Sequence, residues 1–149
     1  MQAVLSSKPK GRVLAVDDCA TMRLLLQAAL EASGYSVLAV DGGRAALDAM
    51  GGAVFDAVIL DVEMPELDGM AVGRAMRDDP RTAGTLIALH TSLLEADVRL
   101  GFDQYDDFLA KPVGLLAVGE RLDQLMRARA PAGPASDEPL PVRGAMLTG

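Results

Sequence analysis

Five short apolar runs, each stopped by a polar or charged residue, punctuate the chain. They are Arg12 to Val16 before Asp17-Asp18, Ser36 to Val40 before Asp41, Ala57 to Leu60 before Asp61, Thr85 to Leu89 before His90-Thr91-Ser92, and Asp107 to Ala110 before Lys111-Pro112. Short continuous apolar runs of this kind are how strands buried on both faces of a parallel sheet read. Between them, apolar positions recur at helical spacing. Met22, Leu25, Leu26, Ala29 and Leu30 mark a first helix over 20–33, and Gly34 is placed to end it. Asp41 can cap a second helix whose face includes Ala45, Ala46 and Ala49 and which Gly51-Gly52 closes. A third runs from Met70 to about Arg77 and is broken by Asp79-Pro80, and a short, weakly patterned fourth lies between Leu94 and Leu100. Leu115, Val118, Leu122, Leu125 and Met126 stripe the last, and the regular pattern ends near Arg129. Strands alternating with helices predict an α/β fold: a parallel sheet with right-handed crossovers and helices on both faces.

The flanks read differently. Residues 1–11 are a polar leader, and 130–149, with Pro131, Pro134, Pro139 and Pro141 among small and polar residues, are a flexible tail unable to bury enough apolar surface to order itself. The tail is too short for an output domain and reads as a spacer, with partner docking the alternative. At 149 residues the chain fits one domain, 12–129, with a core that is aliphatic because aromatics are only 3%. A net charge of −7 argues against a nucleic-acid-binding surface. The single cysteine, Cys19, permits no internal disulfide, and with no signal peptide in view a cytoplasmic location is expected. No apolar run has the roughly 20 residues of a membrane span, so no membrane insertion is expected.

The strand ends carry the chemistry. Asp17-Asp18, Asp61, Thr91 and Lys111 are all delivered to the carboxyl edge of the sheet, where ligands of open α/β folds bind. Pro65 and Asp68-Gly69 force a turn after Asp61 and supply the cap of the next helix. Three neighbouring carboxylates repel unless a hard divalent cation shares them, and Mg²⁺ favours one or two carboxylates with a backbone carbonyl, waters and a phosphate oxygen. Lys111 adds a point charge for an anion and Thr91 a hydroxyl donor. This set suits phosphoryl transfer. Cys19, beside the acidic pair, is a poor nucleophile, and His90, the one histidine, is a packed residue rather than a phosphoacceptor.

In order and spacing, these pieces resemble the receiver (CheY-like) domain of two-component response regulators. The resemblance rests on Asp17-Asp18 with Arg23, on Asp61-x-x-Met64-Pro65-x-x-Asp68-Gly69, on Thr91-Ser92, and on Asp106-Asp107-Phe108-Leu109-x-Lys111-Pro112. It covers residues 12 to about 129. It implies a flavodoxin-like doubly wound sheet of five parallel strands in the order 2-1-3-4-5, with five helices. It implies Asp61 as the phosphoacceptor, taking a phosphoryl group from a phosphohistidine on a sensor histidine kinase or phosphotransfer protein. Asp18, Asp61 and the backbone carbonyl of Glu63 would bind Mg²⁺, with Mn²⁺ able to substitute, while Asp17 would act through a bound water. Lys111 would pair with the phosphoryl oxygens, and its peptide bond to Pro112 would be cis. Thr91 would move to hydrogen-bond the phosphoryl group, and Phe108 would turn into the space it leaves. Asp61, Lys111 and Thr91 would thus form the catalytic set of a module that is otherwise no enzyme.

Two departures stand out. Receivers usually have Gly-Ala where this chain has Gln104-Tyr105, and the stretch from Thr91 to Lys111 is slightly short. Both fall on the helix 4, strand 5, helix 5 face through which the family engages a downstream protein. The leading reading is a stand-alone receiver in chemotaxis or other signal transduction. The alternatives are a receiver fragment of a hybrid kinase, or a phosphorelay or phosphate-sink protein. A haloacid-dehalogenase-type phosphohydrolase calls for Asp-x-Asp after the first strand, but Asp17-Asp18-Cys19-Ala20 stands there. A flavodoxin-like electron carrier would place phosphate against two carboxylates that repel it.

Overall fold

The computed structural model describes residues 8–111 and 114–129. Most of the leader, the tail beyond Arg129 and the Lys111–Pro112 bond lie outside the described residues.

The chain alternates strand and helix throughout: β1 (Arg12–Val16), α1 (Ala20–Ala32), β2 (Ser36–Val40), α2 (Gly43–Gly52), β3 (Ala57–Leu60), α3 (Gly69–Asp78), β4 (Leu86–Thr91), α4 (Glu95–Arg99), β5 (Asp107–Ala110) and α5 (Leu115–Arg129). All neighbouring strands are parallel, in the order β2-β1-β3-β4-β5. β3 is central, and all four of its residues are buried. Alternation along the strands divides the core in two. Leu14, Val16, Val58, Leu60, Ile87 and Leu89 meet Ala46 and Met50 of α2, Val72 and Met76 of α3, and Val98 of α4. On the opposite face Val13, Ala15, Ile59, Ala88 and Leu109 meet Leu26 and Leu30 of α1 and Val118 and Leu122 of α5.

The structure departs from the sequence pattern at several points. α2 starts one residue later than an Asp41 cap would place it: Gly42 is the N-cap and no side chain caps the helix. Leu25, assigned to the buried stripe of α1, is 44% exposed, because Leu26 and Leu30, with Met22 beside them, make up the face turned to the sheet. β4 begins at Leu86 and runs on through His90 and Thr91, which pair with Leu109 and Ala110 of β5. Lys10 and Gly11, read with the leader, are held by the fold: Lys10 N donates to Gly34 O at 2.8 Å, and Ser36 N donates to Gly11 O at 2.9 Å.

Arg77, at the end of α3, stitches three elements together. Its guanidinium donates to the carbonyls of Ala83 (2.9 Å), Thr85 (2.7 Å) and Gln104 (2.9 Å), and to Asp106 Oδ2 at 2.9 Å. Asp106 Oδ2 also accepts from Ile87 N at 2.8 Å, so one ion pair ties α3 to the starts of β4 and β5. The Arg77 side chain is only 14% exposed, which lifts the pair out of the weak surface class. Arg77→Ala should cost about 2 kcal/mol in chemical denaturation, because three carbonyls lose their donor and the exposed Asp106 carboxylate is left with Ile87 N alone. Arg77→Lys should recover only part of this, since an ammonium cannot reproduce the planar fork.

Candidate functional site

β1 and β3 end side by side at the carboxyl edge, with Asp61 N donating to Val16 O at 3.0 Å. This register sets Asp61 beside Asp17 and Asp18, and one carboxylate oxygen from each of the three lies within 4.8 Å of the others. Asp17 and Asp61 are buried, whereas Asp18 is exposed. Lys111, just past the end of β5, reaches across with Nζ 3.2 Å from Asp17 Oδ2 and 3.4 Å from Asp61 Oδ1. Its main chain is held at β4, where Lys111 N donates to Thr91 O at 2.8 Å.

The electrostatics follow from this crowding. Burial pushes the Asp61 carboxyl up from 3.8 to about 6; the Asp17 carboxylate adds to the rise, and Lys111 offsets part of it. Burial works against the charge on Lys111, but Asp61 and Asp17 overcome it and hold the ammonium above its ordinary value. Three carboxylates facing one ammonium leave two formal negative charges at this edge. A divalent cation fits that deficit and the oxygen-only donor set. Asp17 is already engaged on both sides, Oδ1 accepting from Cys19 N at 2.9 Å and Oδ2 facing Lys111. Asp18 and Asp61 are therefore the freer oxygen donors.

The remaining sequence candidates take distinct places. Thr91 is fully buried at the end of β4, with its Oγ1 accepting from Leu93 N at 3.1 Å. Glu63 is exposed in the loop beyond Asp61, and its carboxylate accepts from Ser92 Oγ at 3.4 Å, linking the β3–α3 and β4–α4 loops. Phe108 stands away from the carboxylates, half-buried, its ring centroid 5.9 Å from that of Tyr105. Tyr105 in turn lies 6.3 Å from Phe102, and its hydroxyl donates to Glu95 of α4. The residue that departs from the family pattern thus fills the gap between α4 and β5. His90 is 1% exposed with Nδ1 unpartnered, and burial, then Lys111, lowers its pKa to about 4, so it is neutral at physiological pH.

Three supports of the site make contacts that the sequence does not announce. Arg23 Nη1 donates to Asp17 O at 3.0 Å, steadying the end of β1; its place five residues after Asp18 was noted, its contact was not. Gly69 packs directly on the backbone of Asp61. Glu66 takes a left-handed φ of 69° in the turn between them, a conformation nothing in its side chain announces.

A family profile described as "Response regulator receiver domain" matches residues 13–123. The response regulator MprA of Mycolicibacterium vanbaalenii is 37% identical over 121 residues, covering 80% of this chain and 52% of the relative. The chain spans about half the length, or less, of the first curated relatives it matches. Among solved structures, the Vibrio cholerae chemotaxis protein CheY4 superposes with a TM-score of 0.73 at 28% identity, covering 79% of this chain and 98% of that one. The receiver domain of the sensor histidine kinase PA1611 from Pseudomonas aeruginosa superposes with a TM-score of 0.72 at 25% identity, covering 78% of this chain and 98% of that one. Its structure has a magnesium ion coordinated in the active-site cleft.

Proposed function

This chain belongs to the receiver-domain family of two-component response regulators, and from that premise we propose that Asp61 accepts a phosphoryl group from a phosphohistidine on a sensor kinase or phosphotransfer protein. The observation that carries the proposal is the meeting of Asp17, Asp18 and Asp61 within 4.8 Å, with the Lys111 ammonium against two of them. An Asp61 oxygen attacks phosphorus; an O–P bond forms as the donor's N–P bond breaks, and the departing imidazole nitrogen takes a proton from solvent. Hydrolysis reverses the modification: a water oxygen bonds to phosphorus, the acyl-phosphate O–P bond breaks, and inorganic phosphate leaves. The protein is then a phosphorylation-controlled signalling module rather than an enzyme with a separate substrate.

Asp18, Asp61 and the Glu63 carbonyl would hold Mg²⁺, or Mn²⁺ in its place, and Asp17 would hold one of its waters. The ion supplies charge neutralisation for the phosphoryl oxygens. Lys111 exchanges its bonds to Asp17 and Asp61 for a phosphoryl oxygen. Thr91 gives up its bond from Leu93 N and donates to another, and Phe108, in loose aromatic contact with Tyr105, follows into the vacated space. The downstream partner reads the face built from α4, β5 and α5. Large apolar side chains already stand in solvent there: Leu94 is 70% exposed, Leu100 88% and Leu116 75%. A cytoplasmic setting suits the kinase chemistry, and no described helix is long and apolar enough to cross a membrane.

The test is incubation with acetyl phosphate, with and without Mg²⁺, followed by intact mass. A Mg²⁺-dependent adduct of one phosphoryl group, absent from Asp61→Asn, is the expected result. An adduct that persists in the variant would move the acceptor elsewhere, and none under any condition would sink the proposal.

A further inference from the structure

At the amino edge of the sheet, opposite the carboxylates, a cleft of about 300 Å³ opens between the ends of α2 and α3. Met50, Gly51, Val54, Phe55, Arg81 and Thr82 line it, and it continues into a second hollow of about 240 Å³ that shares Met50, Gly51, Arg81 and Thr82. Val54, on the rim, is 78% exposed although β-branched and apolar. Three arginines stand at this edge against two carboxylates: Arg81 pairs with Asp79 at 2.9 Å, and Asp56 Oδ2 accepts from Arg12 N at 2.8 Å. The Arg12 guanidinium lies over the Phe55 ring at 5.3 Å, and Arg129 Nη1 donates to Asp56 O at 3.0 Å. Among the described residues, neither Arg12 nor Arg129 forms an ion pair.

The same bond fixes where the chain leaves the fold. Arg129 ends α5 on the other face of the sheet and its guanidinium reaches the carbonyl next to Phe55, so the segment 130–149 follows on from the same amino edge. That segment contains Asp137-Glu138-Pro139-Leu140-Pro141-Val142: two carboxylates followed by two apolar side chains set between prolines. We propose that this segment docks back into the amino-edge cleft, with Leu140 and Val142 against Met50, Val54 and Phe55, and with Asp137 and Glu138 facing Arg12 and Arg129. The eleven residues from Arg129 to Leu140 reach roughly 18 Å as a random coil and about twice that when extended, enough to pass the amino edge from the α5 face to the α2 face. The tether makes docking intramolecular, at an effective concentration in the mM range. The four prolines reduce the conformational freedom lost on binding. The phosphoryl site plays no part in this docking, so the two proposals stand or fall separately.

The test uses the full chain, carrying Cys19→Ser and Ser136→Cys with a nitroxide on the new thiol, and reads paramagnetic broadening of backbone amide signals. Gly51, Gly52, Val54 and Thr82 should lose most of their intensity. Leu140→Asp, placed outside the folded core, should restore it, as should Val54→Asp at its exposed site. Both variants should keep whatever acetyl-phosphate reactivity the parent has. Broadening spread evenly over the surface, or unchanged by either variant, would overturn the proposal. So would broadening of isotope-labelled, nitroxide-free chain mixed with nitroxide-labelled chain, which would assign the cleft to a second copy.

Discussion

Asp61→Asn should make the metal-free protein more stable at neutral pH, and the gain should vanish on acidification. The Asp61 carboxyl is raised from 3.8 to about 6 in the fold, chiefly by burial and then by Asp17, so the folded state holds its proton more tightly than the unfolded chain does. A carboxyl shifted upward contributes most below its unfolded value, where it is protonated in both states. That contribution is lost as pH rises from about 4 to about 6, and the loss is complete above. Each pKa unit corresponds to about 1.4 kcal/mol, so the ionised carboxylate should cost about 3 kcal/mol at pH 7. Asparagine keeps the shape and removes the charge. Urea denaturation in a chelator, on parent and variant, should show a gap of about that size at pH 7.5 and almost none at pH 4. A gap independent of pH would mean that asparagine stabilises through packing or hydrogen bonding instead. Mg²⁺ should narrow the neutral-pH gap by stabilising the parent alone, since the ion neutralises the charge that the variant lacks.

A buried charge that destabilises its own fold is intelligible only from the site. The β3 run Ala57 to Leu60 made Asp61 conspicuous because four buried apolar residues end on a carboxylate. The partners were legible for the same reason: Asp17 and Lys111 are also the first polar residues after apolar runs, and a parallel sheet brings such positions to one edge. Strand order, by contrast, followed from the family resemblance, because period and spacing carry no record of which strand lies beside which.

What the sequence hid depends on contacts between distant segments. His90 and Thr91 read as the end of a strand because they are polar, yet pairing with Leu109 and Ala110 keeps them in β4, and the cost falls on an unpartnered His90 Nδ1. Leu25 satisfies the helical period but lies off the narrow stripe that faces the sheet. Arg77 looked like an ordinary basic residue in the last turn of a helix, where such charges are favourable anyway. Its four acceptors lie 6 to 29 positions further along the chain. Tyr105 was visible as a departure from the family pattern, but only the fold shows it bridging Phe102, Phe108 and Glu95.

Gly69→Ala should be the most damaging glycine-to-alanine change among the described residues, for stability and for the site together. The Asp68-Gly69 pair reads as turn and cap, and Asp68 does cap α3, its Oδ1 accepting from Ala71 N at 2.9 Å. Gly69 has a further role that needs no unusual backbone angle. Its amide donates to Val62 O at 2.9 Å, so the start of α3 presses on the segment leaving β3. A methyl group at 69 would lie 2.1 Å from Asp61 O and 2.8 Å from Val62 Cα, and both atoms belong to main chain that cannot rotate aside. Relief requires moving α3 or the β3 end itself. Overpacking against flexible side chains costs about 1–3 kcal/mol, and a clash between backbones should lie at or above the top of that range. The shift also displaces the Asp61 carboxylate and the Glu63 carbonyl two residues on, so affinity for Mg²⁺ should fall with stability. Gly73→Ala separates the two effects: its methyl would meet the Phe102 ring at 2.6 Å, equally crowded but away from the carboxylates. Thermal unfolding should place both variants well below the parent, whereas Mg²⁺ titration on the folded fraction should weaken only for Gly69→Ala. Equal Mg²⁺ affinities for the two would show that the start of α3 does not position Asp61.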